Sequence, residues 1–104
     1  ENIYPAEVED ALLAHADVAQ VAVVGLADIR WGQQVAAAVQ LRVGALLSES
    51  DLEDHAATRL AHFKVPRRWL FVDTFPLTPN GKISKVAVEE LFRKIPGAVE
   101  KTEA

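Results

Sequence analysis

The segment from Pro76 to Lys85, PLTPNGKISK, is where residue types and spacing first suggest chemistry. Its two prolines fix φ and remove hydrogen-bond donors, so neither a helix nor a strand continues through it. The Asn80-Gly81 pair favours a tight turn, because glycine adopts positive φ without penalty. Lys82 is therefore carried on a loop, where its ammonium group can reach a transient anion such as a reacting phosphate or carboxylate. Spacing alone still favours the ordinary interpretation, a solvated lysine in a surface turn.

A basic cluster is the second candidate, because the chain as a whole is acidic, with a formal net charge of -4. Its cations are interleaved with the aromatic residues Phe63 and Trp69, and they are Arg59, His62, Lys64, Arg67 and Arg68. Such a patch suits a phosphorylated adenine compound, with the ring on the base and the cations on the phosphates. A solvated basic rim beside buried aromatics explains the same pattern, and the pattern alone favours it.

Other chemistries find little support in the composition. The chain has no cysteine, which excludes disulfides, thiolate metal sites and cysteine catalysis. His55 and His62 would lie about 10 Å apart along a helix, too far to share one metal ion, so we expect no metal site. The acidic balance argues against a general nucleic-acid binder. No transmembrane segment or targeting peptide is visible, and we expect a cytoplasmic location.

The apolar spacing predicts the scaffold for these residues, in the order α-β-β-α-β-α. The predicted helices cover residues 5–15, 50–61 (with Ser50 and Glu53 as a capping box) and the segment from a Ser84 cap to a Pro96-Gly97 stop. The predicted strands are 18–24, covered on both faces, 34–41, half-buried, and 68–73. Because Pro66 disfavours helix before it, residues 63–66 are expected to be extended.

This order predicts an α+β fold: a small, roughly three-stranded sheet with helices packed on it. The first two strands are close in sequence, which favours an antiparallel pair. Residues 1–97 form one domain in this interpretation, and the polar residues 98–104 form a disordered tail.

Six short blocks occur in one order along almost the whole chain. They are ENIYP before EVE (1–9), VVG (23–25), WGQ (31–33), FKVP (63–66), FVD (71–73) and PLTPNGKI (76–83). Each block is weak alone, but together they resemble the small C-terminal domain of the adenylate-forming superfamily, specifically acyl-CoA synthetases. With this resemblance the functional interpretation of Lys82 becomes the preferred one.

The resemblance implies a two-step ligase in which a carboxylate first attacks the α-phosphate of ATP, and CoA then displaces AMP from the acyl-adenylate. In such enzymes the C-terminal domain alternates between two poses, and the resemblance implies that Lys82 is the catalytic residue of the first. It would approach the carboxylate and α-phosphate oxygens, and a positioned cation does lower the barrier to joining two anions. ATP, with its Mg²⁺, and the carboxylic acid would be bound mainly by a missing N-terminal domain.

In the second pose the opposite face contributes to CoA binding. The resemblance implies that Glu1, Asn2 and Gly25 line the pantetheine tunnel, and that Trp31 and Phe63 touch CoA, with Phe63 near the adenine. One relative has an arginine where this chain has Val65. The phosphate contact would then come from one of the neighbouring cations: Lys64, Arg67 or Arg68.

We expect the chain to be a fragment, because it contains no methionine and the phosphate loop and acyl pocket would precede Glu1. The fragment alone should not catalyse adenylation, and it does not identify the acid. A peptide-synthetase adenylation domain, which loads a carrier protein, shares the lysine motif, although its entry usually differs from Asn2-Ile3-Tyr4-Pro5. A non-catalytic α+β interaction module stays open as well.

Overall fold

The computed structural model describes residues 3–30 and 32–95 and confirms the α+β fold in the predicted order. The elements are α1 (Pro5–Leu13), β1 (Val18–Asp28), β2 (Gly32–Leu41), α2 (Glu49–Ala57), β3 (Arg68–Phe71) and α3 (Lys85–Lys94). A short 3₁₀ turn, His62–Lys64, precedes β3. The predicted helix stop at Pro96-Gly97 and the predicted tail, 98–104, lie outside the described residues.

The sheet is mixed, with strand order β1-β2-β3. β1 and β2 pair antiparallel, as predicted, and β2 and β3 pair parallel. β2 is therefore the central strand, and the predicted half-buried strand is wrong. Val35, Ala37 and Val39 pack with α1 and α2, whereas Ala36 and Ala38 pack with α3. The glutamines that suggested a polar face stand only near the two ends of β2, and helices cover both faces between them.

The capping residues at the starts of α2 and α3 were predicted correctly for α3 but not for α2. Ser84 caps α3 as predicted, with its hydroxyl accepting from the Ala87 N–H at 3.1 Å. The capping box of α2, however, is Ser48 with Asp51, not Ser50 with Glu53. Glu53 is engaged elsewhere, because its carboxylate accepts a hydrogen bond from the Trp69 indole at 3.2 Å.

The segment before β3 is only partly extended. Val65 has φ -68° and ψ 132°, as the following Pro66 requires. Phe63 and Lys64 instead lie in the 3₁₀ turn, so the prediction of an extended segment from residue 63 is wrong at these two positions. The proline constrains its immediate neighbour and leaves the earlier residues free to turn.

Candidate functional site

Residues 76–84 form a closed hairpin, called here the lysine hairpin. The Ser84 N–H donates to the Pro76 carbonyl at 2.9 Å, and the Thr78 N–H donates to the Lys82 carbonyl at 2.7 Å. The Thr78 hydroxyl also accepts from the Lys82 N–H at 3.2 Å. Gly81 has φ +85°, a conformation that glycine adopts without the strain of a Cβ. The backbone on both sides of Lys82 is thus held by hydrogen bonds.

The Lys82 side chain, in contrast, is exposed. Within residues 3–30 and 32–95, no hydrogen bond or ion pair engages its ammonium group. Ile83 beside it packs against the α3 face of the core, and Ser84 caps α3. A fixed backbone with an outward-pointing amine can present one positive charge to a reaction centre on another domain.

Phe63 lies in an aromatic cluster on the surface near the start of α1. The residue is 66% exposed, and its ring meets the Tyr4 ring edge-on at 6.3 Å between centroids. The Lys64 ammonium lies 4.5 Å from the Tyr4 ring centroid and 2.7 Å from the Glu7 carboxylate. Lys64 is thus committed to an ion pair and also lies over the Phe63 ring, 5.6 Å from its centroid, while Phe63 stays largely exposed.

Arg67 and Arg68 line a cleft of about 510 Å³ beside β3, called here the arginine cleft. Its polar lining also includes Gln34, Glu53, Asp54, His62 and Asp28. The Arg68 guanidinium lies 3.5 Å from the Gln34 amide oxygen and 5.6 Å from the Phe92 ring centroid. Neither Phe63 nor Lys82 is among its described lining residues. Of the five predicted cations, His62, Arg67 and Arg68 line this cleft and Lys64 lies in the aromatic cluster, whereas Arg59 is in neither group.

Gly25 lies in β1 opposite Val35, where side chains leave little space. A Cβ built on Gly25 would stand 3.0 Å from the Gln33 amide nitrogen and 3.1 Å from the end of Ile3. Gly25 therefore lies next to Ile3, a residue of the short segment that precedes α1. The predicted site residues Glu1, Asn2 and Trp31 lie outside the described residues.

Sequence reasoning missed several residues that the fold brings to these sites. Gln34 is buried, with 7% exposure, and bonds to Arg68, although the alternation in β2 had placed it on a polar face. The available signal for a buried, hydrogen-bonded Gln34 was its place at the start of an otherwise apolar strand. Glu9 and Lys85 form an ion pair that no local pattern indicates.

The part of the chain that the structure describes contains no group of three or more His, Cys, Asp or Glu side chains arranged for a metal ion. Its helices are also too short or too polar to cross a bilayer.

Comparison with known proteins gives one consistent family. Residues 7–82 match the AMP-binding enzyme C-terminal domain. A mitochondrial medium-chain acyl-CoA ligase of Rattus norvegicus is 40% identical over 90 residues, which cover 86% of this chain and 15% of that protein. A long-chain-fatty-acid–CoA ligase of Mycobacterium tuberculosis is 38% identical over 92 residues, covering 88% of this chain and 18% of that one.

Solved structures agree with this result. A Mycobacterium tuberculosis fatty acyl CoA synthetase aligns with a TM-score of 0.80 and 38% identity, over 88% of this chain and 18% of its own. An amide bond synthetase from Marinactinospora thermotolerans aligns with a TM-score of 0.84 and 41% identity, over the same shares, 88% and 18%. The chain thus spans less than a fifth of the length of these relatives. It belongs to the family of AMP-binding enzyme C-terminal domains, the small domain of adenylate-forming acyl-CoA synthetases.

Proposed function

We propose that this domain supplies Lys82 as the adenylation lysine of an ATP-dependent carboxylic acid–CoA ligase. The observation that carries the proposal is the exposed ammonium group on a hydrogen-bonded hairpin, with no ion pair among the described side chains to hold it back. An N-terminal domain would bind the carboxylic acid, ATP and its Mg²⁺, and this domain would approach it in two poses.

In the first step a carboxylate oxygen attacks the α-phosphorus of ATP, and pyrophosphate leaves with the electrons of the broken P–O bond. Both reactants are anionic, so the approach is opposed by their charges. A cation about 4 Å from such an anion contributes on the order of 4 kcal/mol at an effective dielectric constant of about 20. Lys82 can supply that charge after docking, because its side chain is free to extend from the surface.

In the second step the CoA sulfur attacks the acyl carbon, and AMP leaves with its phosphate oxygen. The exposed Phe63 ring offers a surface on which the adenine of CoA can stack. Of the three candidate phosphate contacts, we assign Arg67 and Arg68, because both line one cleft. Lys64 is assigned to holding the aromatic cluster through its 2.7 Å ion pair with Glu7.

The test is Lys82→Ala in the full-length protein, with the two half-reactions measured separately. Adenylation, followed by ATP–pyrophosphate exchange, should fall by about 100-fold or more, as expected for loss of a positioned charge. Thioester formation from supplied acyl-adenylate should be largely retained. Lys94→Ala, which removes an exposed lysine at the other end of α3, is the matched control. Equal losses in both half-reactions would contradict the proposal, as would exchange activity in the 104-residue chain by itself.

A second candidate function differs only in the nucleophile. An amide bond synthetase is 41% identical to this chain, so an amine could take the place of the CoA thiol after the same first step. A carrier-protein thiol is the third possibility. Titrating the loaded enzyme with CoA, with an amine and with holo carrier protein separates them. The cytoplasmic location stays a prediction, because the Rattus norvegicus relative is mitochondrial.

A further inference from the structure

The free edge of the sheet carries an ion pair that is not explained by the reaction steps above. β1 is an edge strand, and its residue Val23 directs its backbone N–H and C=O away from β2. The Glu9 carboxylate of α1 accepts from the Val23 N–H at 2.8 Å. The Lys85 ammonium of α3 donates to the Val23 carbonyl at 3.1 Å and lies 2.9 Å from the same Glu9 oxygen. We call these three residues the edge link.

The edge link joins helices from opposite faces of the sheet. Glu9 belongs to α1, which packs with α2 on one face, and Lys85 is the first residue of α3 on the other face. By satisfying both polar groups of Val23, the two side chains also protect the strand edge from pairing with other chains. The link therefore connects the helix through which the chain enters this domain with the helix that follows the lysine hairpin.

The position of Lys85 constrains the position of Lys82, the candidate catalytic residue. Only Ile83 and Ser84 separate Lys82 from Lys85, and at most about 11 Å of backbone joins their Cα atoms. Ile83 packs against the α3 face of the core and Ser84 caps α3, so both residues between Lys82 and Lys85 are held in place. A shift of α3 at its first turn would therefore move Lys82 as well.

We propose that Glu9 and Lys85 are positioning residues for adenylation: they fix the lysine hairpin to β1 and α1, so that rotation of the domain places the Lys82 amine accurately. This inference rests on the proposed function of Lys82. A displacement of about 1 Å at a reacting group can lower a rate by about 100-fold. Loss of the link should therefore affect the step that uses Lys82 and spare the step that uses the opposite face.

The test uses Lys85→Met, which keeps the apolar stem and removes the charge, in the full-length protein. We expect the kcat of ATP–pyrophosphate exchange to fall by about 10- to 100-fold, with the KM for ATP unchanged. Thioester formation from supplied acyl-adenylate should be retained, which also shows that the variant is folded. Lys85→Arg should recover much of the exchange rate. Glu9→Gln should weaken the same step, and the double variant should lose less than the sum of the single losses.

Glu90→Gln is the matched control, because it breaks an ion pair with Arg93 on the same helix, away from β1. The inference is overturned if Lys85→Met behaves like Glu90→Gln, or if it lowers both half-reactions equally, which would indicate a general structural role. Lys82→Ala in the same assays separates the two proposals. If that variant loses exchange but Lys85→Met does not, only the positioning role fails; if Lys82→Ala has no effect, both fail.

Discussion

Replacement of Gly25 by alanine tests the proposed CoA-binding face of the domain without disturbing its fold. The backbone of Gly25 is ordinary strand, paired with Val35, so alanine meets no conformational barrier. The added Cβ would stand 3.0 Å from the Gln33 amide nitrogen and 3.1 Å from the Ile3 Cδ1 atom. Both contacts are the far ends of flexible side chains, which can move by the few tenths of an ångström required.

The expected change in the free energy of unfolding is small because two effects oppose each other. Alanine in a strand interior gains about 0.5–1 kcal/mol over glycine through reduced freedom of the unfolded chain. Moving the Gln33 and Ile3 side chains away from their preferred rotamers costs about 0.5–1.5 kcal/mol. The net change for Gly25→Ala should therefore stay within about 1 kcal/mol.

Gly44→Ala is the control, because at Gly44 the added methyl group has space but the backbone conformation is unfavourable, the reverse of Gly25. Gly44 has φ +85° and nothing within 4 Å of a built Cβ, so the methyl group fits but the backbone becomes strained. That strain should cost about 1–2 kcal/mol. Gly44 lies between β2 and α2, outside all the predicted site residues. Both substitutions add one methyl group. We expect Gly25→Ala to change function but not stability, and Gly44→Ala to change stability but not function.

Urea unfolding of the 104-residue chain measures stability, and thioester formation in the full-length protein measures function. Gly25→Ala should raise the KM for CoA and leave adenylation unchanged, because its methyl group narrows the proposed pantetheine path. Gly44→Ala should lower stability and leave both half-reactions unchanged. The reasoning fails if Gly25→Ala keeps its CoA dependence, or if it destabilises the domain more than Gly44→Ala does.

Two further predictions concern the aromatic cluster and the start of α2. Phe63→Ala should raise the KM for CoA by about 5- to 150-fold, the worth of one stacked base, while Phe71→Ala, which removes a second exposed phenylalanine, should not; equal effects would argue against stacking. The Ser48 N–H, donating at 2.9 Å, lowers the pKa of Asp51 below its ordinary value of 3.8. Asp51 should therefore stabilise the domain above that pH and lose this contribution as the pH falls below it. Urea unfolding at pH 7 and pH 3 should show a smaller pH dependence for Asp51→Asn, and an unchanged dependence would refute this.

Much of the scaffold was predictable because its signals are local. The Ser84 cap, the bend around Gly81 and the antiparallel pairing of β1 with β2 each depend on a few neighbouring residues. The start of α2 was misplaced because two overlapping serine–acid pairs satisfy the same capping rule. In the folded chain Ser48 and Asp51 form the capping box, and Glu53 instead accepts a hydrogen bond from the distant Trp69.

The remaining features depend on contacts between residues far apart in the sequence. β2 looked half-buried because its glutamines lie near the strand ends, and nothing in the strand itself indicates that α3 covers its second face. The candidate site was predicted as a set of residues, but not its division into an aromatic cluster and an arginine cleft. The link between Glu9 and Lys85 joins nearly the two ends of the described chain, so no local pattern reveals it.

The closed backbone of the lysine hairpin has a consequence for turnover. Ordering nine loop residues at each docking event would cost on the order of 10 kcal/mol of conformational entropy. Here the hydrogen bonds within residues 76–84 mean that this entropy is lost once, when the domain folds. If Lys82 acts as proposed, each docking event would then freeze only the rotamers of its side chain, at about 2 kcal/mol. In the proposed mechanism, adenylation would therefore require no disorder-to-order transition of the lysine hairpin.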